Sequence, residues 1–167
     1  MSKAERDEQK QYLTFTLAEE MFGVDVGQVR EILDYVNVTK VPQTPAFMKG
    51  VINLRGSVVP VIDMRLKFIM DEAQKTVNTC IVVLEINIDE EINILGVLVD
   101  SVQEVIELEP NEIEPAPKIG TRLKTDFIRG MGKREEQFII LLNIDQIFTT
   151  DDLVALNQFQ DETLENV

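Results

Sequence analysis

The sequence predicts a mainly β protein built from a duplicated unit, each copy a small, partly closed barrel of about five short strands. Three observations carry that prediction. Two apolar, β-branched runs, Val51 to Leu54 and Val58 to Met64, flank Arg55-Gly56-Ser57, the pattern of a tight hairpin with a lone Arg at its tip. The second half of the chain repeats the first in collinear blocks. Hydrophobic residues make up 44% but aromatic ones only 6%, with no Trp, so the core is aliphatic.

The repeat is read directly from the residues. Gly23 to Leu33 superposes without a gap on Gly96 to Ile106, 73 residues on. Phe47 to Gly50 matches Phe127 to Gly130, and Val58 to Phe68 matches Phe138 to Phe148, both 80 residues on. The seven extra residues fall in the Pro-containing stretch 107–126, and the loop of the second copy's first hairpin is lengthened by Asp89-Glu90-Glu91. Gaps confined to loops mark a duplicated structural unit. Repetition leaves open whether each barrel is built from its own repeat or exchanges strands with the other.

Taken in order, residues 1–10 form a charged, disordered tail ahead of a domain spanning 11–150. Tyr12 to Leu17 alternates as a strand, Ala18-Glu19-Glu20 turns, and Met21 to Val26 returns as its partner. Val26, Val29 and either Ile32 or Leu33 fall at helical spacing, so a helical turn capped by Asp25 follows. Ile32 to Val41 reads as a strand ended by Pro42 and Pro45. In the central hairpin Pro60 donates no backbone hydrogen bond, which places its strand at a sheet edge or gives it a bulge there. A helical turn over 65–70 leads to the weakly apolar 71–78, dividing a first repeat, 11–75, from a second, 76–150. Over 151–167 lie a C-terminal helix and tail, with Thr149 or Thr150 as cap, Asp151 and Asp152 in the first turn, and Leu153, Leu156 and Phe159 as an apolar stripe.

Charge and composition exclude several classes. The net charge is −14, unfavourable for nucleic acid or for direct binding to an anionic membrane surface. Residues 1–75 hold ten Lys/Arg and eleven Asp/Glu, leaving six and nineteen for residues 76–167, so the second half carries the acidity. There is no His, which removes the usual general base and metal ligand. No Gly-rich phosphate loop or nucleophile elbow appears, and the acidic Asp89-Glu90-Glu91 lacks EF-hand spacing. The single Cys80 sits in an apolar run and reads as an inert thiol. No catalytic residue, cofactor or metal is expected. No apolar stretch approaches the roughly 18 residues of a membrane span, and a cytoplasmic protein with protein partners is the expectation.

The stretch Val-Ile-Asn-Leu-Arg-Gly-Ser-Val-Val-Pro-Val-Ile-Asp-Met, preceded by Thr-Pro-Ala-Phe-Met-Lys-Gly, closely resembles the signature of the CheW family of bacterial chemotaxis coupling proteins. The likeness extends over residues 12–150 through Phe-Gly-Val-Asp-Val near residue 22, Val29-Arg-Glu31, Gly-Val-Leu-Val-Asp at 96 and Ile-Glu-Pro-Ala-Pro at 113. The resemblance implies two SH3-like five-stranded barrels with short helices. It also implies a non-catalytic adaptor that couples the cytoplasmic tips of methyl-accepting chemoreceptors to the regulatory domain of the chemotaxis histidine kinase, recruited to membrane-associated receptor arrays. The fifteen residues after Asp152 leave no room for a receiver or kinase domain, so a stand-alone adaptor is expected.

Carried over position by position, the resemblance assigns Glu31 and Arg55 as a charged pair beside a receptor groove. Val29 lies on its apolar side, Gly50 at a close backbone approach and Val105 on the opposite wall. It assigns Glu114 and Ile119 to a kinase contact, although family members often carry a basic residue where Glu114 stands. Two other readings compete: the same scaffold serving a different receptor and kinase pathway, and an acid/base enzyme using the acidic second half.

Overall fold

The computed structural model describes residues 10–68, 70, 75–116, 125–148 and 152. The elements are β1 (Lys10–Leu17), β2 (Glu20–Asp25), β3 (Val29–Asp34), β4 (Met48–Leu54), β5 (Ser57–Asp63), β6 (Cys80–Ile88), β7 (Glu91–Val99), β8 (Ser101–Leu108), β9 (Ile113–Glu114), β10 (Ile128–Arg134) and β11 (Gln137–Leu142). One-turn helices, Met64–Lys67 and Ile144–Ile147, follow β5 and β11. The four hairpins β1–β2, β4–β5, β6–β7 and β10–β11 turn through left-handed residues, with Ala18, Glu19, Arg55, Gly56, Asp89, Glu90 and Glu135 all at positive φ.

The strands form two sheets, and each takes strands from both repeats. Sheet 1 runs β8-β1-β2-β11-β10-β9 and sheet 2 runs β3-β6-β7-β5-β4. The first hairpin of each repeat thus sits between the third and last strands of the other. The two sheets are counterparts down to their irregularities. A bulge falls between Met48 and Gly50 on β4 and, 80 residues on, between Ile128 and Gly130 on β10. The parallel contact Val61↔Gly96 of β5 with β7 corresponds to Leu141↔Gly23 of β11 with β2.

This exchange explains the continuous apolar runs that a one-sided sheet would not need. On β6, Ile81 and Val83 face the inside of curled sheet 2 with Ile52, Val59 and Val61, while Val82, Leu84 and Ile86 face a larger core between the sheets. On β11, Ile139 and Leu141 line the inside of sheet 1 with Tyr12, Ile106 and Leu108, while Leu142 turns to the shared core. Rings cross that core in a row, Phe15 to Phe22 and Phe22 to Phe68 at 6.0 Å and Phe68 to Phe127 at 6.3 Å. Each such pair adds about 0.5–1.5 kcal/mol beyond its buried area.

Polar contacts pin the same junction. Arg65 donates from Nε and Nη2 to Asp100, with the shortest contact 2.6 Å, and the Asp100 carboxylate also accepts the Ala18 N–H at 2.8 Å. At the counterpart position Asp145 accepts the Asn87 N–H and the Gln28 side chain, each at 3.0 Å. Lys67 reaches Asp152 at 2.9 Å and lies over the rings of Phe47 and Phe148.

Both sheets resemble the SH3-like units implied by the sequence, with short helices between strands. The chain leaving edge strand β3 crosses to the opposite edge, where Thr39 bridges Val51. The chain leaving β8 does likewise as β9, pairing with β10. Sheet 2 is thereby curled only part-way.

Four expectations are corrected. The β6–β7 turn is Asp89-Glu90, two residues like Ala18-Glu19, so the extra residues lengthen the strands and not the loop. The helical spacing from Val26 to Leu33 covers only a 3-10 turn, Val26–Gln28, whose Gly27 N–H is capped by Asp25; β3 begins at Val29. The strand expected over 32–41 ends at Asp34, leaving Thr39 as an isolated bridge. Pro60 lies on an interior strand, between β7 and β4, and the bulge is on β4. The C-terminal helix lies outside the described residues apart from Asp152, and the N-terminal tail apart from Lys10, which begins β1. Burial raises the pKa of the Cys80 thiol, in keeping with an unreactive side chain.

A Cβ at Gly50 (φ +150°) would lie 2.1 Å from the Thr39 carbonyl oxygen, whereas one at Gly56 (φ +88°) would meet open space. Gly50→Ala is therefore expected to cost about 3 kcal/mol and Gly56→Ala about 1 kcal/mol, read by denaturant unfolding. Equal costs at the two positions would contradict the close crossing of Thr39 over β4.

Candidate functional site

The β4–β5 turn is set by two local features. Arg55 and Gly56 take positive φ, 51° and 88°, and the Asn53 side chain accepts the Gly56 N–H at 2.8 Å. The turn is held, and the Arg55 side chain leaves it 78% exposed. It donates to both carboxylate oxygens of Glu31, Nη1 to Oε1 at 2.8 Å and Nη2 to Oε2 at 3.1 Å. This bidentate fork fixes both groups in one plane.

Glu31 stands on β3, at one edge of sheet 2, and Arg55 joins β4, at the other edge. Their contact spans the curl. Beneath it opens a cavity of about 740 Å3, walled by the β4–β5 hairpin, by β3 and by the start of β7. Arg30 stands on the β3 wall, paired through Nε with Glu85 of β6. The apolar lining includes Leu54, Val58, Pro60, Ile92 and Ile94, with Ile92 64% exposed at the rim.

Glu31 and Arg55 are thus brought together as expected. The other assigned residues lie apart from the cavity lining. Val29 opens β3 opposite Leu84 and packs half-buried on the shared core. Gly50 sits in the β4 bulge under Thr39, so its close approach is to the chain's own crossing segment. Val105 is exposed on β8, an edge strand of sheet 1, opposite Leu13. Just before it, the Thr14 hydroxyl donates to the Glu104 carbonyl and accepts the Glu104 N–H, filling a register shift in the ladder. Glu114 is exposed on β9 opposite Met131, and Ile119 lies outside the described residues.

Sequence reasoning missed Arg30 and the β7 wall. Ile92 follows an acidic turn and gives no local sign of function; it nears Arg55 only because β7 lies beside β5. Among the described residues no cluster of three or more potential metal ligands occurs.

Comparison with known proteins agrees with this architecture. The CheW-like domain matches residues 11–152. The chain belongs to the CheW-like family. Chemotaxis protein CheW of Klebsiella aerogenes is 36% identical over 148 residues, covering 89% of this chain and 87% of that protein. Chemotaxis protein CheW of Rhizobium meliloti is 31% identical, covering 87% and 92% respectively. The crystal structure of scaffolding protein TtCheW from Thermoanaerobacter tengcongensis superposes with a TM-score of 0.76 at 36% identity, over 86% of this chain and 90% of that one. As a member of the family, the chain is a non-catalytic adaptor that couples chemoreceptors to the chemotaxis histidine kinase.

An exposed ion pair is worth only about 0–1 kcal/mol. Arg55→Glu is expected to leave the thermal midpoint within a few degrees of wild type by circular dichroism. A large drop would make the pair a structural clamp.

Proposed function

We propose that the receptor-facing surface is centred on the Arg55–Glu31 pair and the cavity beneath it, with Val29 and Gly50 supporting it from β3 and β4. Its ligand is the helical hairpin at the cytoplasmic tip of a methyl-accepting chemoreceptor. The observation that supports this most is an exposed, bidentate Arg-carboxylate pair held at a hydrogen-bonded turn over a cavity lined by both apolar and polar side chains. A pair of so little worth to stability fits orientation of a partner better than support of the fold. Val105, exposed on the other sheet, forms the far wall of the same docking surface in this reading.

The kinase contact is assigned to the β9 region, with Glu114 and Ile119, and the partner there is the kinase's regulatory domain. Because family members often carry a basic residue at Glu114, the cognate kinase carries a compensating positive group. Strand exchange supports residues 11–150 as one folding unit, with 1–10 and 151–167 flanking it. The Arg55–Glu31 and Thr39–Val51 contacts across the curl support an SH3-like barrel for sheet 2. The protein acts in the cytoplasm and joins membrane-associated arrays through these partners. Coupling of this kind needs only about 1–3 kcal/mol of differential contact between signalling states.

Titration calorimetry with a soluble receptor-tip fragment tests the site. Arg55→Glu is expected to weaken binding by about tenfold or more, the scale of losing one charge-assisted contact and gaining repulsion with Glu31. Unchanged affinity in a folded variant removes Arg55 from the receptor surface.

A further inference from the structure

The two sheets are counterparts, yet their parallel ladders are offset: that of sheet 1 begins one pair earlier and that of sheet 2 continues two pairs further. In sheet 1, Ile140 pairs with Phe22 and Leu141 with Gly23. The corresponding pairs in sheet 2 are Pro60 with Leu95 and Val61 with Gly96. The second is formed and the first is not; pairing begins at Val61 and continues through Asp63.

The side to which residue 60 points follows from its neighbour across the ladder. Val51, opposite Pro60 on β4, donates its N–H to the Thr39 carbonyl and accepts the Thr39 N–H at its own carbonyl, both at 2.9 Å. In the alternation of an antiparallel pair, neither Val51 nor Pro60 then bonds across β4–β5, so the main-chain nitrogen of residue 60 faces β7. Ile140, its counterpart, has an amide hydrogen to give there. Proline has none.

The β5–β7 ladder stops at that point. Val58, Val59 and Pro60 on β5 and Ile94 and Leu95 on β7, all at or beyond the last formed pair, line the cavity beside Arg55. We infer that Pro60 is a positioning residue: by withholding one amide hydrogen it ends the β5–β7 ladder at Val61 and keeps the mouth of sheet 2 splayed, leaving an apolar slot next to the Arg55–Glu31 pair. Resting on the proposed receptor surface, this assigns the slot to an apolar side chain of the receptor hairpin. A residue with an amide hydrogen at this position zips the strands one step further and narrows the slot.

The test uses the full chain with Pro60→Ala and Pro60→Ile, the second reproducing the residue of the other repeat. Nuclear magnetic resonance reads amide exchange at residue 60 and coupling across a hydrogen bond to the Ile94 carbonyl; titration of a receptor-tip fragment reads the slot. Expected are an observable coupling, exchange at residue 60 slowed by at least about tenfold relative to an exposed amide, and binding about tenfold weaker, with Arg55 unchanged. A folded variant whose residue 60 amide exchanges like an exposed one overturns the inference, as does the new bond without loss of binding. Unfolding of both variants also overturns it, making Pro60 a residue of stability alone. If wild type binds no receptor fragment, the receptor reading falls, and the coupling across residues 60 and 94 decides by itself whether Pro60 holds the ladder open.

Discussion

The structure depends on the burial of strands on two faces, which neither repeat can provide alone. Each first hairpin lies between the third and last strands of the other repeat, so one face lines a curled sheet and the other joins the core shared by both sheets. Removing either partner would expose Val82, Leu84 and Ile86 on one side or Leu13, Phe15 and Leu17 on the other, at roughly 1.5–3 kcal/mol for each large side chain. That constraint makes the two sheets a single rigid support. The hairpin turns project from it as surface tips.

Duplication followed by divergence then explains why the proposed receptor surface is one-sided. Arg55-Gly56 ends one central hairpin, and Glu135-Glu136 stands at the matching turn of the other repeat. Glu31 has Glu104 as its counterpart, so attraction across the curl in sheet 2 has no equivalent charge pairing in sheet 1. The polar junctions diverge differently. Arg65 reaches out to Asp100 on one side, while on the other the helix itself carries the acceptor, Asp145. Core positions stay apolar in both copies because packing tolerates little else; turn positions are free to change charge.

Much of the fold was legible because both copies repeat the same apolar pattern, with insertions in a loop and at the tip of one hairpin. The central hairpin was legible from Arg55-Gly56 between β-branched runs, and the first hairpin from alternation around Ala18-Glu19. Strand exchange was not, since a repeat encodes the same strands whichever copy they join. β3 was misread because Val26 and Val29 fall three apart across a capped turn, which mimics a helix for one turn and no more. Pro60 was misread as marking an edge or a bulge of its own strand because an absent donor is tolerated equally well where an interior ladder stops. Of the site, Arg55 came from the turn and Glu31 from family resemblance. The wall containing Ile92 and Ile94 arises from a parallel contact between strands distant in sequence, which no local pattern announces.

The most direct measurement is sedimentation of receptor-containing membranes with the cognate histidine kinase, with and without this protein, reading co-pelleting and kinase autophosphorylation together. The account predicts that kinase pellets with the membranes, and responds to receptor ligand, only when the protein is present. Kinase recruitment and regulation that are the same without it, or a protein that pellets with neither component, would contradict the coupling role.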